Sequence, residues 1–148
     1  MRTVFDRSTR DELSARANTL SENSLALWGK MNVYQMLQHC SKGDDMMLGK
    51  IPVKAVFPAR FFGKLILKAV LKNDKPLRKN SPTAPELLSK EKTGDFALLK
   101  AAYIKNLGEY GHFNNPGFTH PFFGTMTKEQ VGQFVYKHHD HHLRQFGV

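Results

Sequence analysis

Between Thr127 and Phe146 the chain carries a pattern that leaves little choice of local structure. Thr127-Lys-Glu-Gln130 has the spacing of a complete capping box, in which the first and fourth side chains each bond the other's backbone N–H. Val131, Phe134, Val135 and Phe146 then fall on one side of a helix that turns about 100° per residue. On the same count His138 and His142 lie close to the centre of that stripe. His139 and His141 fall near its two edges, and Asp140 points away. Two imidazoles one turn apart therefore occupy core positions on a long helix whose apolar side other helices must cover.

The remaining segments supply such partners. Ser8 and Thr9, followed at capping-box distance by Asp11 and Glu12, predict a helix from about Thr9 to Leu20, with Leu13 and Ala17 at helical spacing. Asn32 with Gln35 predicts a second, with Met36, Cys40 and Met47 inside, fraying near Gly49. Asp95 caps a third, which runs to near Glu109 on Phe96, Leu99, Tyr103 and Leu107, with Gly111 at the expected C-terminal cap. Five prolines break up the stretch between Ile51 and Lys92. One piece of it places Arg60, Lys64, Lys68 and Lys72 on one face and Phe61, Phe62, Leu65, Ile66, Ala69 and Val70 on the other. The piece could lie against the bundle or on a membrane surface, and docking of its apolar face on the bundle is expected. No segment shows sustained alternation. The expected fold is all-α: a four-helix bundle with an extra basic amphipathic helix in the long connection between the second and third principal helices.

A chain of 148 residues fits one domain, 1–148. With Cys40 as the only cysteine no internal disulfide can form, which suits a reducing compartment. The polar N-terminus lacks a signal-peptide core, and no apolar run reaches the roughly 18 residues of a membrane span. A cytoplasmic protein is expected. The net charge of +9 is concentrated between Lys50 and Lys79, where nine basic residues meet one acid, Asp74. Such a block can gather phosphates, anionic lipid or acidic substrates, or can be the solvated face of an ordinary helix, which is the expectation here.

Buried imidazoles need partners for their ring nitrogens, and two stacked at i and i+4 would repel if both were protonated. A shared divalent cation meets both requirements, with imidazole nitrogens about 2.0–2.1 Å from a zinc ion. A hydrogen-bonded pair of core histidines is the alternative. A third ligand should come from another helix, and His39, beside the Met36–Cys40–Met47 stripe, is the natural candidate. His120 and His112 are weaker candidates on the loop before the last helix. Cys40 reads as a core thiol, and Asp140 and Glu129 as solvent-facing charges.

The pattern His138-x-x-x-His142-x-x-Gln145, preceded by a helix carrying His39 and by Trp28, resembles the DinB-like superfamily. His120-Pro-Phe-Phe-Gly124, Met126-Thr and the run from Tyr136 to Phe146 look like an uncharacterised branch of it. The resemblance implies a four-helix bundle in which His39, His138 and His142 hold a divalent metal. It also implies that Gln145 orients His142 or a bound water. Because some members transfer low-molecular-weight thiols, it implies a metal-dependent S-transferase acting on a small-molecule thiol.

Three imidazoles and no carboxylate suit zinc or nickel, and leave positions at which a water or a thiol is activated. A metal-dependent hydrolase is the alternative chemistry. The non-enzymatic alternative is a metal-binding or polyanion-binding module using Arg60, Lys64, Lys68 and Lys72. Nucleic acid is not the expected partner, because few aromatics interleave with the basic stripe. A homodimer is compatible with either reading.

Overall fold

Residues 1–52, 54, 62–81 and 83–148 are described by the computed structural model. Five α-helices follow one another among them: α1 (Arg7–Asn18), α2 (Val33–Met47), α3 (Gly63–Val70), α4 (Phe96–Glu109) and α5 (Lys128–Gln145). Before α5, the strands β1 (Thr119–His120) and β2 (Gly124–Thr125) pair antiparallel, Thr119 with Thr125 and His120 with Gly124. The chain is mostly helical, but this hairpin corrects the all-α expectation. Strands of two residues are too short to show alternation in a sequence. What holds the turn is the left-handed backbone of Gly124 (φ 74°) and His120 Nδ1, which accepts from the Phe122 and Phe123 N–H groups.

The helix ends follow local chemistry wherever nothing distant intervenes. Asn32 and Gln35 form a reciprocal capping box at the start of α2, and Thr127 and Gln130 do the same for α5. The Asp95 side chain accepts from Leu98 N–H at the start of α4. Both α2 and α5 stop on a left-handed glycine, Gly49 and Gly147, each at φ 77°. In each case the next two N–H groups fold back: Gly49 to Met46 and Lys50 to Asp45, Gly147 to Arg144 and Val148 to Leu143.

Two expected caps are not formed. The first helix begins at Arg7 after Asp6, ahead of Ser8 and Thr9. The chain before it is drawn onto α5 by the bond from Val4 N–H to Gly132 O, and Asp6 N–H turns back to Thr3 O. Gly111 does not stop α4, which passes instead into a 3-10 turn, Tyr110–His112, with Tyr110 buried.

Helix α2 rests on α4 and α5, and α1 on α4 and α5. Leu13 and Ala17 of α1 meet Met36, Leu37 and Cys40 of α2, Tyr103 and Leu107 of α4, and Val131, Val135 and Leu143 of α5 in one buried cluster. Burial of each large apolar side chain there contributes about 1.5–3 kcal/mol. Cys40 is the core thiol expected, free and buried.

The small helix α3 sits apart from this cluster. Gly63 and Leu67 are its buried residues. Gly63 packs so closely on the hairpin that an added Cβ would collide with the Phe122 carbonyl. Lys137 of α5 donates to Val70 O and Asn73 O at 2.6 and 2.8 Å, and so holds the C-terminal end of α3. Arg60 and Phe61, expected in this helix, lie outside the described residues. Its apolar side is not docked as expected, since Phe62, Leu65 and Ile66 are exposed. No described helix is long and apolar enough to cross a membrane.

Candidate metal centre

His39 reaches inward from α2, and His138 and His142 from successive turns of α5. Among the described residues these three form a group whose ligand atoms all lie within 4.8 Å of one another. His39 Nε2 is 3.0 Å from His138 Nε2. Nitrogens about 2.0–2.1 Å from one tetrahedral ion stand roughly 3.3 Å apart, so small ring movements would close the three onto a single cation.

The outer nitrogens decide which atoms are free to bind. His39 Nδ1 lies 3.1 Å from the Leu87 carbonyl, which can only accept, so this nitrogen carries the proton and Nε2 the lone pair. Leu87 closes a short 3-10 turn, Pro85–Leu87. That segment is pinned to α2 by Gln35, which donates to Ser89 O, and by Ser89 Oγ, which donates to Gln38 Oε1. His142 Nδ1 is 2.9 Å from Gln145 Oε1. Gln145 Nε2 donates to Trp28 O, which turns the amide oxygen toward His142 and makes His142 Nδ1 the donor. Two of the three imidazoles are thereby held in the tautomer that leaves Nε2 basic, the arrangement that orients metal-binding histidines. Gln145 stands where the sequence placed it, one turn beyond His142.

Burial favours the neutral rings. It lowers the pKa of His39 and holds His138 well below the usual histidine range, with the His142 and His39 rings adding to the effect on His138. His142 is pushed down to about 3, by burial first and the His39 ring second. All three thus present lone pairs at neutral pH. His138 is the partly exposed member. Gly43, one turn beyond His39, faces it: a Cβ there would lie 3.6 Å from His138 Cε1, in ordinary van der Waals contact, and any longer side chain would press on the ring.

The placement of the other residues of the run differs from expectation. His139 is fully buried, not at an edge of the stripe. Its Nε2 is 2.9 Å from Asp44 Oδ1 and its Nδ1 is 2.8 Å from Tyr103 Oη, while Tyr110 Oη donates to the same Asp44 oxygen. Asp140 does not face solvent. It is 6% exposed and bonded to Arg16 and Arg144, both at 2.8 Å. His141 is buried beside Trp28, with ring centroids 5.9 Å apart. The cause is that α5 is covered on more than one side, by α1, α2, the Thr3–Phe5 segment and the Trp28 loop, whereas a single-stripe reading allows one. The one available signal for the Asp44 network was Asp44 itself, at helical spacing from Cys40 and Met47 in an otherwise apolar stripe.

His120 and His112 do not join the triad. His120 serves its own hairpin turn and packs against Phe123 and Phe134. His112 is exposed. Beside His141 is a cleft of about 460 Å³ lined by Trp28, Leu77, Lys79, His141 and Arg144, to which none of the three triad histidines contributes. Lys79 Nζ stands 4.1 Å from the centre of the Trp28 ring.

No curated protein and no solved structure matches the chain. The resemblance to the DinB-like superfamily is overturned by the family comparison, in which residues 5–147 match the pattern of a different family, and the thiol-transfer activity that it implied loses that support. That match covers nearly the whole chain, which belongs to the family described as a protein of unknown function, DUF1569.

Proposed function

We propose that His39, His138 and His142 hold one divalent ion, zinc or nickel, at the centre of a metal-dependent enzyme built on a four-helix bundle of α1, α2, α4 and α5. The observation that carries this reading is the pair of fixed tautomers. Leu87 O and Gln145 Oε1 accept hydrogen bonds from the Nδ1–H groups of His39 and His142, which leaves both basic Nε2 nitrogens on the His138 side. Three neutral donors would leave the ion its full charge, and an ion so held supplies an open position where a water or thiol is deprotonated.

Of the chemistries open to such a site, S-transfer with a low-molecular-weight thiol is the first to test. Its support is the all-imidazole donor set. His39 and His142 fix the donor geometry, and Gln145 and Leu87 orient them.

The test begins with elemental analysis of the purified protein, where about one divalent ion per chain is expected. His39→Ala, His138→Ala and His142→Ala should each lose it, and His112→Ala should keep it. Equal retention in all four variants would remove the site. With cobalt in place of the native ion, a thiolate-to-metal absorption band on adding a biological thiol supports S-transfer. Absence of that band, together with metal-dependent ester or amide cleavage, moves the reaction to hydrolysis.

A further inference from the structure

Helix α3 turns two different strips toward solvent. At about 100° per residue, Gly63, Leu67 and Val70 face the protein, in agreement with their burial. Lys64 and Lys68 follow round the helix as one strip, with Lys72 two residues past its end, and Leu65, Ala69, Phe62 and Ile66 form the next strip. Phe62 is 64% exposed, Leu65 67% and Ile66 40%. Among the described residues none of the three lysines has an ion-pair partner.

Three large apolar side chains exposed side by side need a covering surface, and the lysines say which kind. A second copy of the chain would bring two lysine strips together. Among the described residues nucleic acid would find a single aromatic, Phe62, in a strip that is otherwise aliphatic, a poor platform for stacking bases. A bilayer with anionic headgroups meets both strips at once, because the apolar side chains enter below the headgroups while the lysines stay among them.

We infer that α3 is a docking face for anionic membrane surfaces, with Phe62, Leu65 and Ile66 inserted and Lys64, Lys68 and Lys72 held at the headgroups. The helix is fitted to present that face rigidly. Gly63 seats it on the hairpin, and Lys137 holds the carbonyl of its last residue, Val70, and that of Asn73 in the turn beyond. The inference is independent of the metal centre.

Sedimentation with vesicles tests it on the full chain. Vesicles of equal parts phosphatidylserine and phosphatidylcholine should bind the protein, and vesicles of phosphatidylcholine alone should not. Binding should weaken as salt rises. Each of Lys64→Gln, Lys68→Gln and Lys72→Gln should lower affinity about fivefold. The double variant Phe62→Ser with Leu65→Ser changes only exposed side chains, so it should keep the helical circular dichroism of the parent while losing the vesicles. Failure to bind the anionic vesicles, or binding unaltered by the double variant, overturns the inference. A concentration-dependent dimer that the double variant abolishes also overturns it, and assigns the face to a second copy.

Discussion

Asp44 is a carboxylate with almost no access to water, and its neighbours explain how it is tolerated. His139 and the Tyr110 hydroxyl both bond Oδ1, while Oδ2 is buried with no hydrogen-bond partner among the described residues. A buried group so dependent on its partners makes their removal costly. Asp44→Ala leaves His139 and the Tyr110 hydroxyl without their acceptor, and should lower stability by about 1–3 kcal/mol for each group left unpaired, read in chemical denaturation. The fraction that remains folded should still bind metal, since Asp44 is not among the three candidate ligands. A loss below about 1 kcal/mol, the range of a surface pair, would show that the network contributes little.

Gly43 gives a second single-residue test. Gly43→Leu would press on His138 and should reduce metal content, whereas Gly108, with nothing within 4 Å of an added Cβ, has no such neighbour. Gly108→Ala should leave metal content unchanged and raise stability by up to about 1 kcal/mol through helix propensity. Equal metal content in both variants would mean that Gly43 does not shape the site. Sequence alone could place His138 and His142, because their i, i+4 spacing on an apolar stripe is a local fact. It could not place His139, whose partners Asp44 and Tyr103 come from two other helices.

Helix α5 shows where that local reading stops for whole elements. Its start was readable, since Thr127 and Gln130 act within one turn of themselves. The burial of its flanks was not, since it depends on segments that wrap it from far along the chain. Gly132 marks one such contact: an added Cβ would meet Thr3 Oγ1 and the Phe5 ring. The same contact sets the start of α1, which the Ser8 and Thr9 spacing misplaced. Gly132→Ala should consequently push the N-terminal segment off α5, at a cost of about 1–3 kcal/mol. Hydrogen exchange should speed up at Val4 and through the first turn of α1, with α2 and α4 little affected. Unchanged exchange at Val4 would show that the segment does not depend on that close approach. The amphipathic pattern of α3 was readable for the same local reason as the caps. Which of its strips faces the protein was not, because Gly63, the residue that decides it, has no side chain to report a preference.

The candidate centre brings His39 of α2 to His138 of α5, 99 positions apart in the chain, so a bound ion would tie metal content to global stability. An ion held only by the folded state stabilises it by about 2.7 kcal/mol when free metal stands 100-fold above its dissociation constant. For a chain near 150 residues each kcal/mol moves the melting temperature by roughly 2–4 °C. Stripping the metal with a chelator should thus lower the melting temperature by about 5–11 °C, and adding back zinc or nickel should restore it. His39→Ala removes the only ligand on α2, so its melting temperature should be low and indifferent to both treatments. Gln145→Ala provides the intermediate case: all three ligands remain, but His142 loses the acceptor that fixes its tautomer. Its metal affinity should fall about 10–100-fold, as expected when a residue that orients a ligand is lost. The chelator should then act at lower concentration than on the parent. A parent protein whose melting temperature ignores the chelator would separate the three histidines from any role in holding α2 to α5.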